Sequence, residues 1–500
     1  MTSDSRTRST HRQRLAALVA LAILAGCATQ PGHEELRARH AALDLAAYQA
    51  RAPQSAPSVT LRSALECALN HNIEVWIAEQ ERQFQHELST QSLLKLLPSL
   101  LAGAESSWRS ELDAASSESL RRHKQSLEPS FSADQSARTF DISMTWSLLD
   151  FGISYFRARQ QADRAWIAAQ RVRRVKQDLA LQVTRAYWQA VTARESAREA
   201  ERIGAEVETR IALSSAEIAE QAISQIDGLR NETKLLEQQE ELRRYQRAHR
   251  VALTELATLM GLAPGTTVEL AEIDLDQPLV PPDTDVAALE DEALRNRPEL
   301  YEKDREEEIS RADAHVAIAQ LFPNLNLSWR FDIDDNRFLV FNQWHTLGLR
   351  AAWDLLAIPQ HLMQHHALTL QTELVARRRT ALAVGILTQL HLTLIDCAEA
   401  AAQCRLAGVI AAKHRALLAA VESTASEGKS HDGETVDQRM RYLKARARYL
   451  TAYAEFRIAQ ARLRNTLGRD PGDDLGDDEF NPPLLPDALQ VSPPAEGGAS

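Results

Sequence analysis

The strongest constraint on the fold is that the sequence repeats itself at two constant offsets. Residues 97–100 (LPSL) match residues 322–325 (FPNL) 225 positions later, and residues 146–149 (WSLL) match 353–356 (WDLL) 207 positions later. The second offset persists to the end of the unit, where MGLAPG is matched by LGRDPG. The offsets differ by 18, so the first copy carries a longer loop between the matched segments. The chain is therefore predicted to contain two copies of one structural unit.

The predicted organisation follows these repeats, each reading helix, strand, loop, strand and then a long helical hairpin. The predicted divisions are a leader at 1–26, a tether at 27–60, a first repeat at 61–277, a connector at 278–286, a second repeat at 287–472 and a disordered acidic tail at 473–500. The predicted strands are about 99–110, 138–149, 323–334 and 338–353, and the predicted hairpins are 152–261 and 359–468.

The N-terminus has the pattern of a secretory leader. Arginines precede an apolar run at 15–25, which is too short for a typical transmembrane helix and suits a signal peptide. The run ends in LAGC, which resembles the lipobox of bacterial lipoproteins. That resemblance implies cleavage before Cys27 and covalent diacylglyceryl and N-acyl groups on it. Position 28 is Ala, not Asp, so the inner-membrane retention pattern is absent. The alternatives are an ordinary signal peptide with an accidental Cys, and a cytosolic start.

Between the helices the hydrophobic period changes from 3.6 to 2. Phe140, Ile142, Met144, Trp146 and Leu148 alternate with polar residues, and three further segments alternate in the same way. Runs of about ten residues with one apolar face are typical of transmembrane β-strands, although a half-buried sheet in a soluble domain alternates identically. Four strands cannot close a barrel, and an open edge is excluded from lipid. In a membrane the chain must therefore oligomerise, and three copies would supply 12 strands.

Very long helices are predicted on either side of each hairpin turn. Residues 152–219 contain no Pro and a single Gly after the first position, which allows roughly 100 Å of helix. Apolar residues recur at 4-3 spacing from Leu179 to Ile211, and the positions in the middle of this seam are mostly Ala. Small seam residues favour helices packed on both sides in a wall, and the alternative is an antiparallel coiled-coil spacer.

Composition and motifs exclude several functions. The net charge of -12 disfavours nucleic acid as a partner, and four cysteines are too few for a disulfide scaffold. There is no nucleotide-binding, serine-hydrolase or zinc-protease motif, so neither an enzyme nor a cofactor is predicted. His361 and His365 lie one helical turn apart, but their repeat equivalents are Ser154 and Ala158. We therefore predict no metal site.

Together these features make the chain similar to the TolC/OprM family of outer-membrane efflux proteins, from about Leu61 to Gly472. The resemblance is carried by the duplicated halves, the LPSL and FPNL strand entries, the WSLLDFG strand exit and the MGLAPG and LGRDPG helix ends. It implies an α+β membrane protein: a homotrimer whose 12-stranded β-barrel lies in the outer membrane and continues as an α-helical barrel in the periplasm. The lipobox favours the lipidated branch.

The resemblance also implies a periplasmic gate at the hairpin tips. Glu434 and Asp437 match two acidic positions of the family, three residues apart and hence on one helix face, and Asp227 matches a third. Three copies would form a ring of six carboxylates that favours cations. The alternative is a solvated acidic helix start. The basic partner that the family has near Ser430 is absent, and Lys429 is the nearest candidate.

The implied function is a passive exit duct of a tripartite efflux or type I secretion system. Such a duct works with a periplasmic adaptor and an inner-membrane pump, and it performs no chemistry itself. The alternative from another class is a non-conducting coiled-coil lipoprotein that scaffolds the envelope.

Overall fold

The computed structural model describes residues 32–50, 58–125, 128–220, 224–263, 266–272, 285–426 and 432–471. Cys27, the predicted leader and the predicted acidic tail lie outside these residues. The helices are α1 His33–Ala50, α2 Leu61–His71, α3 Ile73–Leu94, α4 Leu148–Ala219, α5 Gln225–Leu259, α6 Val286–Asn296, α7 Pro298–Ala319, α8 Ile358–Ser426 and α9 Asp432–Thr466. The strands are β1 Ser99–Trp108, β2 Ala114–Ala115, β3 Ser130–Phe131, β4 Ser136–Ser147, β5 Asn324–Asp334 and β6 Gln343–Ala352.

The two offsets of the sequence reappear in the bounds of the elements. Helices α6 and α7 begin and end at the larger offset from α2 and α3, and β5 begins at the same offset from β1. Helix α9 begins and ends at the smaller offset from α5, and α8 ends at that offset from α4. Helices α4 and α5 are called hairpin 1 below, and α8 and α9 are called hairpin 2. Positions of the two hairpins that the smaller offset relates are called repeat equivalents.

The four long strands form one antiparallel sheet in the order β1-β4-β5-β6. Its register brings the apolar residues of neighbouring strands directly opposite each other: Met144 pairs with both Leu100 and Trp329, and Trp329 pairs with Leu347. The intervening residues are mostly polar, as in the row that joins Thr145, Ser328 and Gly348. One face of the sheet is therefore largely apolar, and each long strand contributes cross-strand pairs to it.

Two features of the strand region differ from the sequence prediction. The fourth strand, expected over 338–353, begins later, at Gln343. The side chain of Asp334 accepts a hydrogen bond from the backbone N–H of Asn336, and that of Asn336 accepts one from the backbone N–H of Phe338. These bonds hold the first residues of the expected strand in turns. The extra loop of the first copy contains the short pair β2–β3, which the sequence did not predict. Its two-residue strands are too short to show a hydrophobic period.

The start of each long helix is set by a polar cap. Ser147 ends β4, and its hydroxyl accepts a hydrogen bond from the backbone N–H of Asp150, so α4 follows the strand without a loop. At the equivalent place in the second copy, the Asp354 carboxylate accepts from the backbone N–H groups of Leu356 and Ala357. Helix α8 then begins at Ile358, and Pro359 lies in its first turn, where a missing N–H costs nothing.

The middle of each hairpin is held by a core in which the seam residues are buried. Leu179, Val183 and Ala190 of α4 pack with Leu256 of α5 and Phe456 of α9. Small residues let these helices approach closely, and large side chains from neighbouring helices fill the remaining volume. Cys397 and Cys404 belong to the same core and are free thiols.

A glycine in the left-handed conformation ends each hairpin against a short helix. Gly261 has φ +75°, and a Cβ there would lie 2.6 Å from the carbonyl oxygen of His71. Its repeat equivalent Gly468 has φ +73°, and a Cβ there would lie 2.8 Å from the carbonyl oxygen of Asn296. Both the backbone conformation and the space therefore require glycine. The two halves are joined to their short helices in the same way.

Within the described residues, one helix is long and apolar enough to cross a membrane, over Ile358–Ala425. Its 68 residues correspond to about 100 Å, roughly three times the thickness of a bilayer core. Much of its apolar surface is exposed in the single chain.

Candidate functional site

The three acidic residues that the sequence assigned to the gate lie in the first turns of the second helix of each hairpin. Glu434 and Asp437 are on α9, and Asp227 is on α5. Glu434 is exposed. Asp227 is also exposed and pairs with Arg230 one turn along the same helix, at 3.4 Å. The structure therefore places two of the three carboxylates at the surface, close to the turns of the two hairpins.

Asp437 has a different environment because hairpin 1 holds it. Its carboxylate accepts hydrogen bonds from Lys234 Nζ and from Gln238 Nε2, the latter at 2.8 Å. Lys234 and Gln238 are four residues apart on α5 and so share one helix face. The side chain of Asp437 is only partly exposed. This carboxylate therefore joins the start of α9 in hairpin 2 to α5 in hairpin 1 of the same chain.

Arg439 makes a second tie close to the first. Its guanidinium donates to Glu422 of α8 at 2.7 and 2.9 Å and to Glu206 of α4. It therefore joins the two helices of hairpin 2 to the first helix of hairpin 1. Charge-assisted hydrogen bonds of this kind are stronger than neutral ones, and two carboxylates on one guanidinium fix the register of three helices.

Apolar packing lies under these polar contacts. Val436, Met440 and Leu443 of α9 are buried against α4 and α5, where they contact a cluster that includes Ile203 and Leu242. They follow helical spacing from the first turn of α9, so burial begins beside Asp437. Moving the start of α9 away from hairpin 1 would expose this apolar surface as well as break the two ties.

The sequence did not predict Lys234, Gln238 or Arg439. Lys234 could have been suspected, since it lies seven residues after Asp227 and thus close to the same face of α5. Its contact with Asp437 depends on how α5 and α9 are rotated relative to each other, and no spacing within one helix reports this. The alternative candidate Lys429 lies outside the described residues.

The metal prediction concerns His361 and His365. The Nδ1 atom of His365 lies 3.3 Å from the carbonyl oxygen of Ala314. In the part of the chain that the structure describes, no group of three or more His, Cys, Asp or Glu side chains could hold a metal ion.

No protein-family model matches the sequence. Two curated relatives match parts of it. Nodulation protein T of Rhizobium leguminosarum bv. trifolii is 30% identical over 194 residues, which is 38% of this chain and 40% of that protein. The pyoverdine export outer membrane protein OpmQ of Pseudomonas aeruginosa is 36% identical over 165 residues, which is 31% of this chain and 32% of that protein. The chain thus aligns with less than half the length of either relative.

The fold matches solved structures over most of the chain. The MtrE outer membrane channel of Neisseria gonorrhoeae, solved in its open state, aligns with a TM-score of 0.65 at 16% identity, and the alignment covers 82% of this chain and 89% of that one. The CmeC outer membrane channel of Campylobacter jejuni aligns with a TM-score of 0.64 at 11% identity, and the alignment covers 84% of this chain and 91% of that one.

The four-stranded sheet and the two long hairpins together define the fold of an outer-membrane channel protein. The resemblance to the TolC/OprM family that the sequence motifs indicate is confirmed by the partial sequence matches and by the shared fold.

Proposed function

We propose that this protein is the outer-membrane exit duct of a tripartite efflux or type I secretion system. The single observation that carries the proposal is the match of 82% of the chain to an outer membrane channel. The sequence match to a pyoverdine export outer membrane protein supports the same role. The relatives and solved channels described above are not named as enzymes. The duct is therefore proposed to conduct passively.

A 12-stranded β-barrel is proposed from the open sheet. Strands β1 and β6 each have one neighbour, so each leaves a row of backbone groups unpaired in the single chain. Unpaired backbone groups cost several kcal/mol each in lipid, which only closure of the sheet removes. Pairing β6 of one copy with β1 of the next closes the barrel, and three copies supply the 12 strands. The largely apolar face would contact the lipid.

Internal duplication is proposed for the origin of the two halves. It is supported by the identical lengths of α2 and α6, of α3 and α7, and of α5 and α9. It is also supported by the left-handed glycines Gly261 and Gly468, which contact equivalent short helices. The long hairpins would then project into the periplasm as a helical barrel, with the hairpin turns farthest from the membrane.

Lipid anchoring is proposed through Cys27 after removal of residues 1–26. Two or more acyl chains hold a protein stably on a membrane, whereas one chain alone binds marginally. Labelling with palmitate tests the assignment: the wild type should incorporate label, and Cys27→Ser should not. Incorporation by Cys27→Ser would overturn it.

The gate is proposed to lie at the tips, where Glu434, Asp437 and Asp227 would face the pore entrance. Asp437 is proposed to act in the closed state as the carboxylate that Lys234 and Gln238 hold against hairpin 1. Opening would separate α9 from α5 and free this carboxylate. The tips would dock a periplasmic adaptor, which connects the duct to an inner-membrane pump. No cofactor is proposed other than the lipid.

Solute flux tests the duct against the scaffold alternative. The full lipidated chain, purified in mild detergent and reconstituted into liposomes, should release a trapped small solute faster than protein-free liposomes. A chain that assembles but releases no solute under any cation condition would contradict the duct and favour the non-conducting scaffold.

A further inference from the structure

One face of α5 and one face of α8 lack a packing partner in the single chain. Hairpin 1 packs on hairpin 2 through α4 and α9. The repeat equivalents of α4 and α9 are α8 and α5, and among the described elements these two do not pack against each other. The equivalent surfaces are therefore free in the single chain, and another copy of the chain offers the matching surface.

Exposed apolar residues lie where this second interface would be. Ile203 is 2% exposed, and its repeat equivalent Ile410 on α8 is 43% exposed. On the other side, Val436 is 2% exposed and its equivalent Leu229 on α5 is 51% exposed. The pair Leu443 and Leu236 shows the same contrast, at 0% and 51%. At each of these three positions, the residue in one hairpin is buried and its repeat equivalent in the other hairpin of the same chain is not.

Two ion pairs bridge the interface within the chain. Glu206 of α4 pairs with Arg439 of α9, and Glu241 of α5 pairs with Lys444 of α9 at 2.8 Å. The repeat equivalents of the first pair are Lys413 and Glu232, and those of the second are Arg448 and Glu237. Both equivalent pairs are again oppositely charged, but each has its charges reversed.

The four equivalent side chains are available for such contacts. In the described part of the chain, Lys413, Glu237 and Arg448 make no ion pair, and all three are exposed. Glu232 accepts a hydrogen bond from the Ser215 hydroxyl at 2.7 Å and has no cationic partner among the described side chains.

We propose that hairpin 2 of one copy docks on α5 of a second copy through the pairs Lys413–Glu232, from α8, and Arg448–Glu237, from α9, around Ile410, Leu229 and Leu236. This interface rests on the self-assembly proposed above and names the residues that direct it. The partner is a second copy of this chain, and the contact is heterologous, so it can repeat around a ring.

The reversed charges also distinguish the two interfaces. If hairpin 1 of another copy replaced hairpin 2 of the same chain, Glu206 would face Glu232, and Glu241 would face Glu237. Like charges at such a contact disfavour the wrong neighbour. The order of hairpins is therefore set by repulsion as well as by attraction.

The tie at Asp437 does not carry over to the second interface. The repeat equivalents of Lys234 and Asp437 are Arg441 and Arg230, which are both cationic. Arg230 lies closer to the hairpin turn than Glu232 and Glu237. Neighbouring copies are therefore joined along the hairpins and are not tied by this pair at the tips.

Charge reversal and restoration test the interface in the full lipidated chain. Lys413→Glu with Arg448→Glu should lower the association constant by about tenfold or more per interface, because attraction becomes repulsion at two sites. Adding Glu232→Lys and Glu237→Arg should restore association. Sedimentation in mild detergent measures the oligomer, and circular dichroism checks that the helices persist in each variant.

Arg415→Glu is the matched control on α8. The repeat equivalent of Arg415 is Glu208, which accepts a hydrogen bond from Gln239 of its own hairpin, so Arg415 is expected to face α9 of its own hairpin and not the second copy. This control should assemble like the wild type. If the variant with Lys413→Glu and Arg448→Glu remains as oligomeric as the wild type, the proposed interface is wrong. It is also wrong if the fourfold variant stays dissociated, and neither result contradicts the proposed assembly. A monomeric wild type would overturn the proposed assembly as well.

Discussion

At the scale of single residues, the structure gives the acidic residues near the hairpin turns unequal surroundings. Glu434 and Asp227 lie at the surface, whereas Lys234 and Gln238 of the other hairpin hold Asp437. The motif that suggested the carboxylates could not reveal this difference, because the holding groups lie about 200 positions away in the sequence. Closure of the gate is therefore expected to depend on hairpin 1 as much as on the carboxylates.

Lys234→Met tests the tie at Asp437. Removing the cation should free the carboxylate, so reconstituted channels should spend more time open. The loss of stability should stay below about 1 kcal/mol, since the lysine is half exposed and exposed ion pairs contribute little. Single-channel recording and thermal unfolding measure the two effects. Arg230→Met, which breaks a pair within one helix, is the control, and an unchanged open time in Lys234→Met would remove the tie from the gate.

The carboxylates themselves are tested by Glu434→Gln combined with Asp437→Asn. The double variant removes up to six negative charges from the proposed ring, so block by polyvalent cations should weaken. Titrating the blocking cation against channel current measures this. Block that stays at the wild-type concentration in the double variant would exclude these two residues from the ring.

His249 is expected to make the stability of the chain depend on pH. Burial, together with the guanidinium groups of Arg194 and Arg198, lowers its pKa. The unfolded chain therefore binds a proton below about pH 6.5 more readily than the folded chain does, so stability should fall as pH drops below that value and gain nothing above it. The repeat equivalent is Phe456, and His249→Phe should reduce the difference in thermal midpoint between pH 7.5 and pH 5. His40→Phe is the exposed control, and an unreduced difference would contradict the assignment.

At the scale of elements, the sequence predicted the long helices and the long strands well because each is a local pattern. The absence of Pro and the 4-3 seam indicate α4 without any knowledge of its neighbours, and alternation indicates β4 and β5 in the same way. The late start of β6 depends on turns formed by Asp334 and Asn336, and the packing of α9 on α4 depends on the rotation of two distant helices. Neither leaves a periodic signal.

The junction at the end of each hairpin can be tested through its glycine. Gly261→Ala should destabilise the chain by about 1–3 kcal/mol, because it places a Cβ at positive φ and against the His71 carbonyl oxygen. Gly204→Ala is the control within α4, where a Cβ would meet nothing within 4 Å. That change should leave stability equal or slightly higher. Thermal unfolding in detergent compares the two, and equal midpoints would contradict the close approach.

At the scale of the whole molecule, the single chain leaves backbone groups and apolar surfaces without a packing partner. Its sheet has two open edges, and α5 and α8 each leave an apolar face uncovered. The mean hydropathy of -0.34 conceals this, because apolar and polar residues alternate along the strands and share the surfaces of the long helices. In the proposed assembly, further copies of the chain would both close the sheet and cover these faces.

Conductance across a planar bilayer tests the proposed exit duct most directly. The purified, lipidated wild-type chain is expected to insert as an oligomer and to give discrete, cation-favouring current steps, and the Lys413→Glu, Arg448→Glu variant should give fewer of them. An assembled wild-type chain that inserts into the bilayer and never conducts would contradict the exit duct.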